Sequence, residues 1–231
     1  MRKLMFFAIG FVVFIGLLPF GIGYMGMAVP NAGIWTISDG YRFGKLVSCQ
    51  VKGIIIRSTE CTLMLGDGSD IQSLKDGDPY QINPWYFSAR VDDIVELEKL
   101  AGKTIWVHYD QAAIKWPWFR ETSYYPLEFA EVTGQTACSI NGDGSGVKAT
   151  GTIGGQLAKV SSKGYLIKTD EVIVHEGGKK FSALSISDSE VTKCAIQWVK
   201  SGKNVSISYR QKWINWWHFE DTDLRIYKLG S

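Results

Sequence analysis

The chain has 231 residues, enough for one large domain or two small ones, and 45% of them are hydrophobic. Its formal net charge of +2 equals the contribution of Arg2 and Lys3, so the rest of the chain is balanced. A nucleic-acid protein ordinarily needs a basic face to neutralise phosphates, so no nucleic acid is expected among the partners.

The first element is apolar. No charged residue occurs from Leu4 to Val29, a run long enough to cross a bilayer as a helix even with Pro19 in it. A cleavable signal peptide is the competing reading, but its apolar core is shorter, and Pro30 follows closely on the Gly26-Met27-Ala28 site. We therefore expect a transmembrane anchor over residues 1–30, with the lipid bilayer as a partner through residues 4–29. Arg2 and Lys3 hold the amino terminus in the cytoplasm, and the next charge is Asp39. The body then lies across the membrane, which in a bacterium is the periplasm, giving a single-pass inner-membrane protein. Pro30 to Gly40 reads as an extended spacer.

From Gly44 the chain occurs twice. Residues 44–66 and 155–177 share Gly44/Gly155, Leu46/Leu157, Lys52/Lys163, Gly53/Gly164, Ile56/Ile167 and Glu60/Glu171 at an offset of 111. Each reads as a hairpin of two long strands turning at Lys-Gly. A third strand follows at 85–91 and 180–187, with Phe-Ser-Ala at 87–89 and 181–183. The first copy carries a Gly/Asp-rich surface loop before it. A helix comes next. Asp92 or Asp93 caps the first, with Ile94, Val95, Leu97 and Leu100 on its apolar side. Ser187 and Glu190 match a capping box for the second, with Val191, Cys194, Ala195, Trp198 and Val199 at helical spacing. Gly102 and Gly202 stop the two helices.

The block from Gly102 to Thr122 returns from Gly202 to Thr222 at an offset of 100, with identities that include Tyr109/Tyr209, Gln111/Gln211, Trp116/Trp216 and Phe119/Phe219. Its first half is a fourth strand whose core face is Ile105, Val107 and Tyr109, matched by Val205, Ile207 and Tyr209. The opposite face carries Trp106 and His108 where the second copy has Ser206 and Ser208. That difference marks Trp106 and His108 as an expected contact between the copies. A fifth strand lies at about 121–131 and 221–229.

The expected fold is therefore mostly β: tandem OB-like five-stranded barrels, each with one helix between strands 3 and 4, after an N-terminal transmembrane helix. The divisions are residues 1–30 for the anchor, 31–135 for the first barrel, 136–147 for a linker and 148–231 for the second barrel. SH3-like or other small barrels are the alternative, and the helix between strands three and four speaks against them.

The run Gly44-Lys45-Leu46, the Phe87-Ser88-Ala89 strand, Gly102 to Tyr109 and Glu121-Thr122-Ser123-Tyr124 resemble a family of small bacterial membrane-anchored proteins. Some of these bear the label 6-phosphogluconate dehydrogenase. The resemblance implies an N-terminal membrane helix and one such domain, here duplicated, and no established activity. The label finds no support in the sequence, which lacks a G-x-G-x-x-G between a strand and a helix.

Five of the nine tryptophans lie between strands four and five, in AAIKWPWFRET and KWINWWHFEDT. In OB-folds this loop walls the usual binding groove. The candidate binding residues are Trp116, Trp118, Phe119, Trp213, Trp216, Trp217, His218 and Phe219, with Lys115, Arg120 and Lys212 for polar contacts. Aromatic faces there can stack on sugars or bases, insert at a membrane interface, bury against another protein, or simply close the barrel.

Little else suggests chemistry. His108, His175 and His218 have no metal spacing, and His108 and Asp110 share an outward face without a nucleophile. Asn141 to Gly146 resembles the start of a calcium loop, but Thr152 stands where the closing Glu belongs. No metal and no cofactor are expected. Arg57/Lys168 and Glu60/Glu171 read as a solvated strand face. Cys49, Cys61, Cys138 and Cys194 match no zinc pattern and read as buried thiols or disulfides. A two-residue turn at Lys52-Gly53 would set Cys49 opposite Ile56, so a bridge from Cys49 to Cys61 is not expected.

The function these features favour is non-enzymatic: an accessory or scaffolding subunit of a membrane protein complex, whose other subunits are the expected partners. The alternative is a periplasmic binding module for a cell-envelope oligosaccharide or similar ligand. A hydrolase or redox enzyme of unrecognised type is the third reading.

Overall fold

The computed structural model describes residues 36–53, 57–65, 84–113, 120–135, 138–142, 148–163, 168–178, 180–211 and 222–230. The proposed anchor at 4–29 lies outside them. Among the described residues, no helix is long and apolar enough to cross a membrane.

The chain is mostly β, as expected. The first repeat comprises β1 (Thr36–Lys52), β2 (Ser58–Leu65), β3 (Trp85–Ala89), a 3-10 turn at Val91–Asp93, α1 (Ile94–Leu100), β4 (Thr104–Ala112) and β5 (Tyr124–Glu131). A short strand, β6 (Ile140–Asn141), precedes the second repeat. This comprises β7 (Ala149–Lys163), β8 (Thr169–Gly177), β9 (Lys180–Ile186), α2 (Ser189–Ser201), β10 (Asn204–Gln211) and β11 (Leu224–Gly230).

In the second repeat β7 pairs with β8, β8 with β9, β9 in parallel with β11, β11 with β10, and β10 with β7. The pairings form a closed ring. In the first repeat β2–β3, β1–β2, β1–β4 and β4–β5 repeat that order, while β3 and β5 approach each other without a ladder. The long first strand of each repeat serves two partners within its own repeat, which is why β1 and β7 run to 17 and 15 residues.

Several local expectations need correction. The spacer ends at Thr36, not Gly40, because Thr36 to Lys45 already pairs with β4. The hairpin connection at Gly53 is longer than two residues: Lys52 pairs with Ser58, which sets Cys49 directly opposite Cys61. These two form a disulfide, and Cys138 forms another with Cys194. The recurring Phe-Ser-Ala is not structurally equivalent in the two copies. Glu60 faces Ser88, whereas Glu171 faces Ser185, so the counterpart of Phe87 is Leu184 and not Phe181.

The helices begin and pack for different reasons. The N-cap of α2 is Asp188, whose side chain accepts from the Glu190 amide, in place of the expected Ser187 box. Its Val191, Cys194, Ala195, Trp198 and Val199 are all buried, and Gly202 ends it at φ 68°, a conformation that favours glycine. In α1 only Leu97 is buried; Val95, expected on the apolar side, is 57% exposed. Seven residues make too few turns to bury a full stripe.

The two repeats are fused. Ser38–Arg42 of β1 pairs antiparallel with Lys159–Lys163 of β7, so one sheet runs through both. At Gly40 any side chain would strike the Val160 carbonyl, which keeps that ladder closed only with glycine. Side chains cross the seam in both directions. Phe43 and Trp106 of the first repeat belong to the apolar cluster around Trp198, and Ile173 of the second belongs to the cluster around Leu97 and Tyr109. Burying side chains of this size stabilises by about 1.5–3 kcal/mol each. The expected contact at Trp106 is therefore present. The described part of the expected linker, residues 138–142, is fastened as well: β6 pairs with β11, and the Trp198 indole N–H donates to the Cys138 carbonyl at 2.9 Å.

Candidate functional site

All eight aromatic-loop residues proposed from the sequence (Trp116, Trp118, Phe119, Trp213, Trp216, Trp217, His218 and Phe219) lie outside the described residues, as does most of the calcium-like segment at 143–147. What is described is the root of each loop, and it is built on the residues that the sequence placed on a solvated face.

Glu60 and Glu171 are 7% and 6% exposed. The outward side of their strands is covered where the chain returns from the aromatic loop. In the first repeat, the Ser58 hydroxyl donates to Glu60 Oε1 at 2.6 Å and the Ser88 hydroxyl to Oε2 at 2.7 Å. The Glu121 amide donates to Oε1 at 3.2 Å, and the Thr122 amide to Ser88 Oγ at 3.0 Å. One carboxylate thus collects the strand hairpin and the loop's return into a single network. Lys52 Nζ holds Glu121 from outside at 2.9 Å.

The second repeat uses the same positions with different chemistry. Glu171 pairs with Lys163 at 3.1 Å, and the Ser185 hydroxyl donates to the Thr222 carbonyl at 3.1 Å. Gln211 Nε2 donates to Asp223 Oδ2 at 2.6 Å across the loop mouth. The recurrence of Glu60 and Glu171 at the common offset was the sequence signal for this anchor.

Beside Tyr124, where the chain enters β5, lies a buried cation. The Arg42 guanidinium is 4.6, 5.2 and 5.1 Å from the ring centroids of Trp85, Tyr109 and Tyr124. Arg42 is 4% exposed, and its Nε and Nη1 have no hydrogen-bond acceptor. Its charge is met by aromatic faces instead. Burial raises the Tyr109 phenol above its ordinary value, with the Arg42 charge opposing. Beside the loop's return, burial lowers Arg120, against the opposing influence of Tyr125 and Glu60, and its guanidinium lies over the Tyr125 ring at 5.8 Å.

His108 is at the seam between repeats. Its ring stacks on Tyr41 at 4.2 Å, and Nε2 lies 3.1 Å from Asp39 Oδ2. Asp110 is directly opposite Asp39. Burial, then the hydrogen bond and charge of Asp39, push Asp110 up to about 6. Burial also raises Asp39, but the His108 hydrogen bond and charge overcome it and leave Asp39 below its ordinary value. Among the described residues, no group of three or more His, Cys, Asp or Glu side chains converges as metal ligands would.

No family model and no curated protein matches the chain. Among solved structures, it is similar to the wild-type single-stranded DNA binding protein from Thermus aquaticus, at 13% identity over 77% of this chain and 86% of that one, with a TM-score of 0.25. It is also similar to a deletion mutant of that protein, at 14% identity over 77% and 87%, with a TM-score of 0.22. These likenesses correct the expectation that nucleic acid is excluded, and that expectation is withdrawn. A balanced total charge averages over the whole surface and does not exclude a local groove with aromatic and basic side chains. At TM-scores of 0.25 and 0.22 the same likenesses carry no argument for a ligand of this chain.

Proposed function

We propose that this chain is a non-enzymatic, single-pass inner-membrane protein that presents two periplasmic OB-like barrels as a scaffolding or accessory subunit of a membrane complex. The OB-like reading is supported by the strand order of each repeat, with the first strand between the second and the fourth, and by the helix between strands three and four. The extracytoplasmic reading is supported by two disulfides, which persist in oxidising compartments.

The observation that carries the scaffold reading is the fusion of the repeats. A shared ladder, the Phe43/Trp106 packing and the Glu60 and Glu171 anchors hold the roots of both aromatic loops in one body. Roots of two tryptophan-rich segments held in one body suit a bracket between partners better than two independent binding modules. Affinity capture of the full chain from detergent-solubilised membranes, followed by mass spectrometry, tests this. A defined set of membrane proteins is expected with the wild type and is lost with Trp216→Ala/Trp217→Ala. Capture of no membrane protein, or of the same set by the variant, sinks the reading.

A further inference from the structure

The face of the first repeat that docks on the second has an altered counterpart. Phe43 and Trp106 are paired across β1 and β4, and both are buried against the α2 region. The same positions in the second repeat are Gly154 and Ser206, paired across β7 and β10. With these small residues in place of the two aromatic side chains, the described residues of the second repeat enclose a groove of about 640 Å³, within the usual range for small-ligand sites. Gly154, Gly155 and Gln156 of β7 form one part of its lining, with His175 of β8 and Asn204 and Ser206 of β10 around them.

The chemistry of this lining is specific. An added Cβ at Gly154 would meet nothing within 4 Å, so that side of β7 is open, whereas one at Gly155 would point to the opposite face and strike the His175 carbonyl. Asn204 and Ser206 offer an amide and a hydroxyl, and Gln156, whose Nε2 donates to the Gly202 carbonyl at 3.2 Å, adds the rest of its amide. His175 Nε2 is committed to the Gly178 carbonyl at 2.9 Å, and its ring is stacked on Phe181 at 4.8 Å, which fixes it as a wall. The one carboxylate in the lining, Glu176, is held by Lys180 at 2.5 Å and by the Ser182 hydroxyl. The lining therefore supplies hydrogen bonds and little net charge, which disfavours both anions and cations.

We propose that this groove binds a neutral saccharide, with a sugar ring lying on the backbone at Gly154 and its hydroxyls meeting Gln156, Asn204 and Ser206. The flat face of a ring needs close backbone approach, which glycine permits, and its hydroxyls both donate and accept, as do the amides. The site is remote in sequence from the aromatic loops and does not depend on the scaffold reading.

The test uses the full chain in a detergent with a non-sugar headgroup, titrated with triacetylchitotriose and with maltotriose while backbone amide signals are followed by NMR. At least one sugar is expected to give saturable shifts centred on Gly154, Gly155, Asn204 and Ser206. Ser206→Trp and Gly154→Phe restore the first repeat's residues and fill the groove, so each abolishes those shifts. Asn204 is exposed, so Asn204→Ala keeps the fold and weakens binding about tenfold, the loss of roughly one hydrogen bond. No saturable shift with either sugar overturns the proposal. So do shifts that persist in a folded groove-filled variant, or unchanged affinity in Asn204→Ala.

Discussion

Position by position, Arg42, Trp85, Tyr109 and Tyr124 of the first repeat answer to Ile153, Ser182, Tyr209 and Leu224 of the second. The first repeat encloses a cation among aromatic rings, and the second has mainly aliphatic and small residues in the same places. Outside the ring of strands the contrast reverses in kind: Phe43 and Trp106 fill the first repeat's docking face, while Gly154 and Ser206 leave the second repeat's face open. A repeated strand order therefore constrains pairing far more than content. The duplicated backbone lets one copy specialise in holding its neighbour and the other in presenting a surface.

The disulfides give the largest test of this asymmetry, because they occupy unrelated places. Cys49–Cys61 staples a hairpin of the first repeat over a separation of 12, and Cys138–Cys194 ties the inter-repeat segment to α2 over a separation of 56. By loop-closure entropy, replacing the second pair with serine costs about 4 kcal/mol and the first about 3 kcal/mol. Denaturant unfolding of both variants checks the order. If Cys138→Ser/Cys194→Ser loses less than the hairpin variant, the segment at 138–142 is held by β6 and Trp198 without help from the bridge.

The loop anchors come next. Glu60 accepts three hydrogen bonds where Glu171 has a lysine partner. Glu60→Ala leaves two serine hydroxyls and an amide without their acceptor and costs about 2–3 kcal/mol, from the loss of charge-assisted hydrogen bonds. It also raises hydrogen exchange at the Glu121 and Thr122 amides. Equal protection at those amides in the variant would mean that the Ser88–Thr122 contact alone holds the loop's return.

The order of elements was legible because the two copies confirm each other: strand alternation and helical spacing recur at constant offsets. The difference between Trp106 and Ser206 was legible as a contact for the same reason. Finer register was not. Three identical residues, Phe-Ser-Ala, were enough to align two strands wrongly, because strand pairing is set by partners and not by the strand's own letters. The Cys49–Cys61 bridge depended on a turn length that Lys-Gly did not determine. Glu60 and Glu171 looked solvated because alternation distinguishes two faces of a strand but cannot see a loop folded over the outer one. Arg42 was silent for the opposite reason, since a buried arginine breaks the ordinary expectation for charged residues. The groove at Gly154 follows only from knowing what its counterpart, Phe43, packs against.

A pH titration sharpens the comparison at the seam. Asp110, near Asp39 and His108, has its carboxyl raised to about 6, above the unfolded value, so the folded chain binds more protons between those two values. This group's contribution to stability is therefore greatest at low pH, falls as pH rises toward about 6, and is a net cost above it. Asp39, held low, contributes in the opposite sense. Asp110→Asn removes the cost and raises stability at pH 7 by about 1–2 kcal/mol, after solvent screening is allowed for, with little gain near pH 4. The second repeat has Thr150 and Arg210 at the corresponding positions and no such pair. Chemical denaturation of both proteins at the two pH values checks this, and an equal gain at both would trace the effect to packing and not to titration.

The smallest effect is expected where the two interiors differ most. Arg42 is deeply buried, and two of its donors find no acceptor, so its desolvation is opposed mainly by three aromatic faces. Cation–π contacts reach about 2 kcal/mol when desolvated, while burying a charge costs several kcal/mol before compensation. Because its neighbours are neutral rings, removing the charge leaves no opposite charge stranded. Arg42→Met keeps most of the volume and approaches the aliphatic character of Ile153. It is expected to change stability by less than about 1 kcal/mol, or to increase it. A loss of about 3 kcal/mol would mean that the aromatic cage outweighs desolvation, and that Arg42 organises Trp85, Tyr109 and Tyr124 in a way Ile153 has no need to do in the second repeat. Near-UV circular dichroism separates these outcomes, because only an organising arginine would take the Trp85 and Tyr124 signals with it.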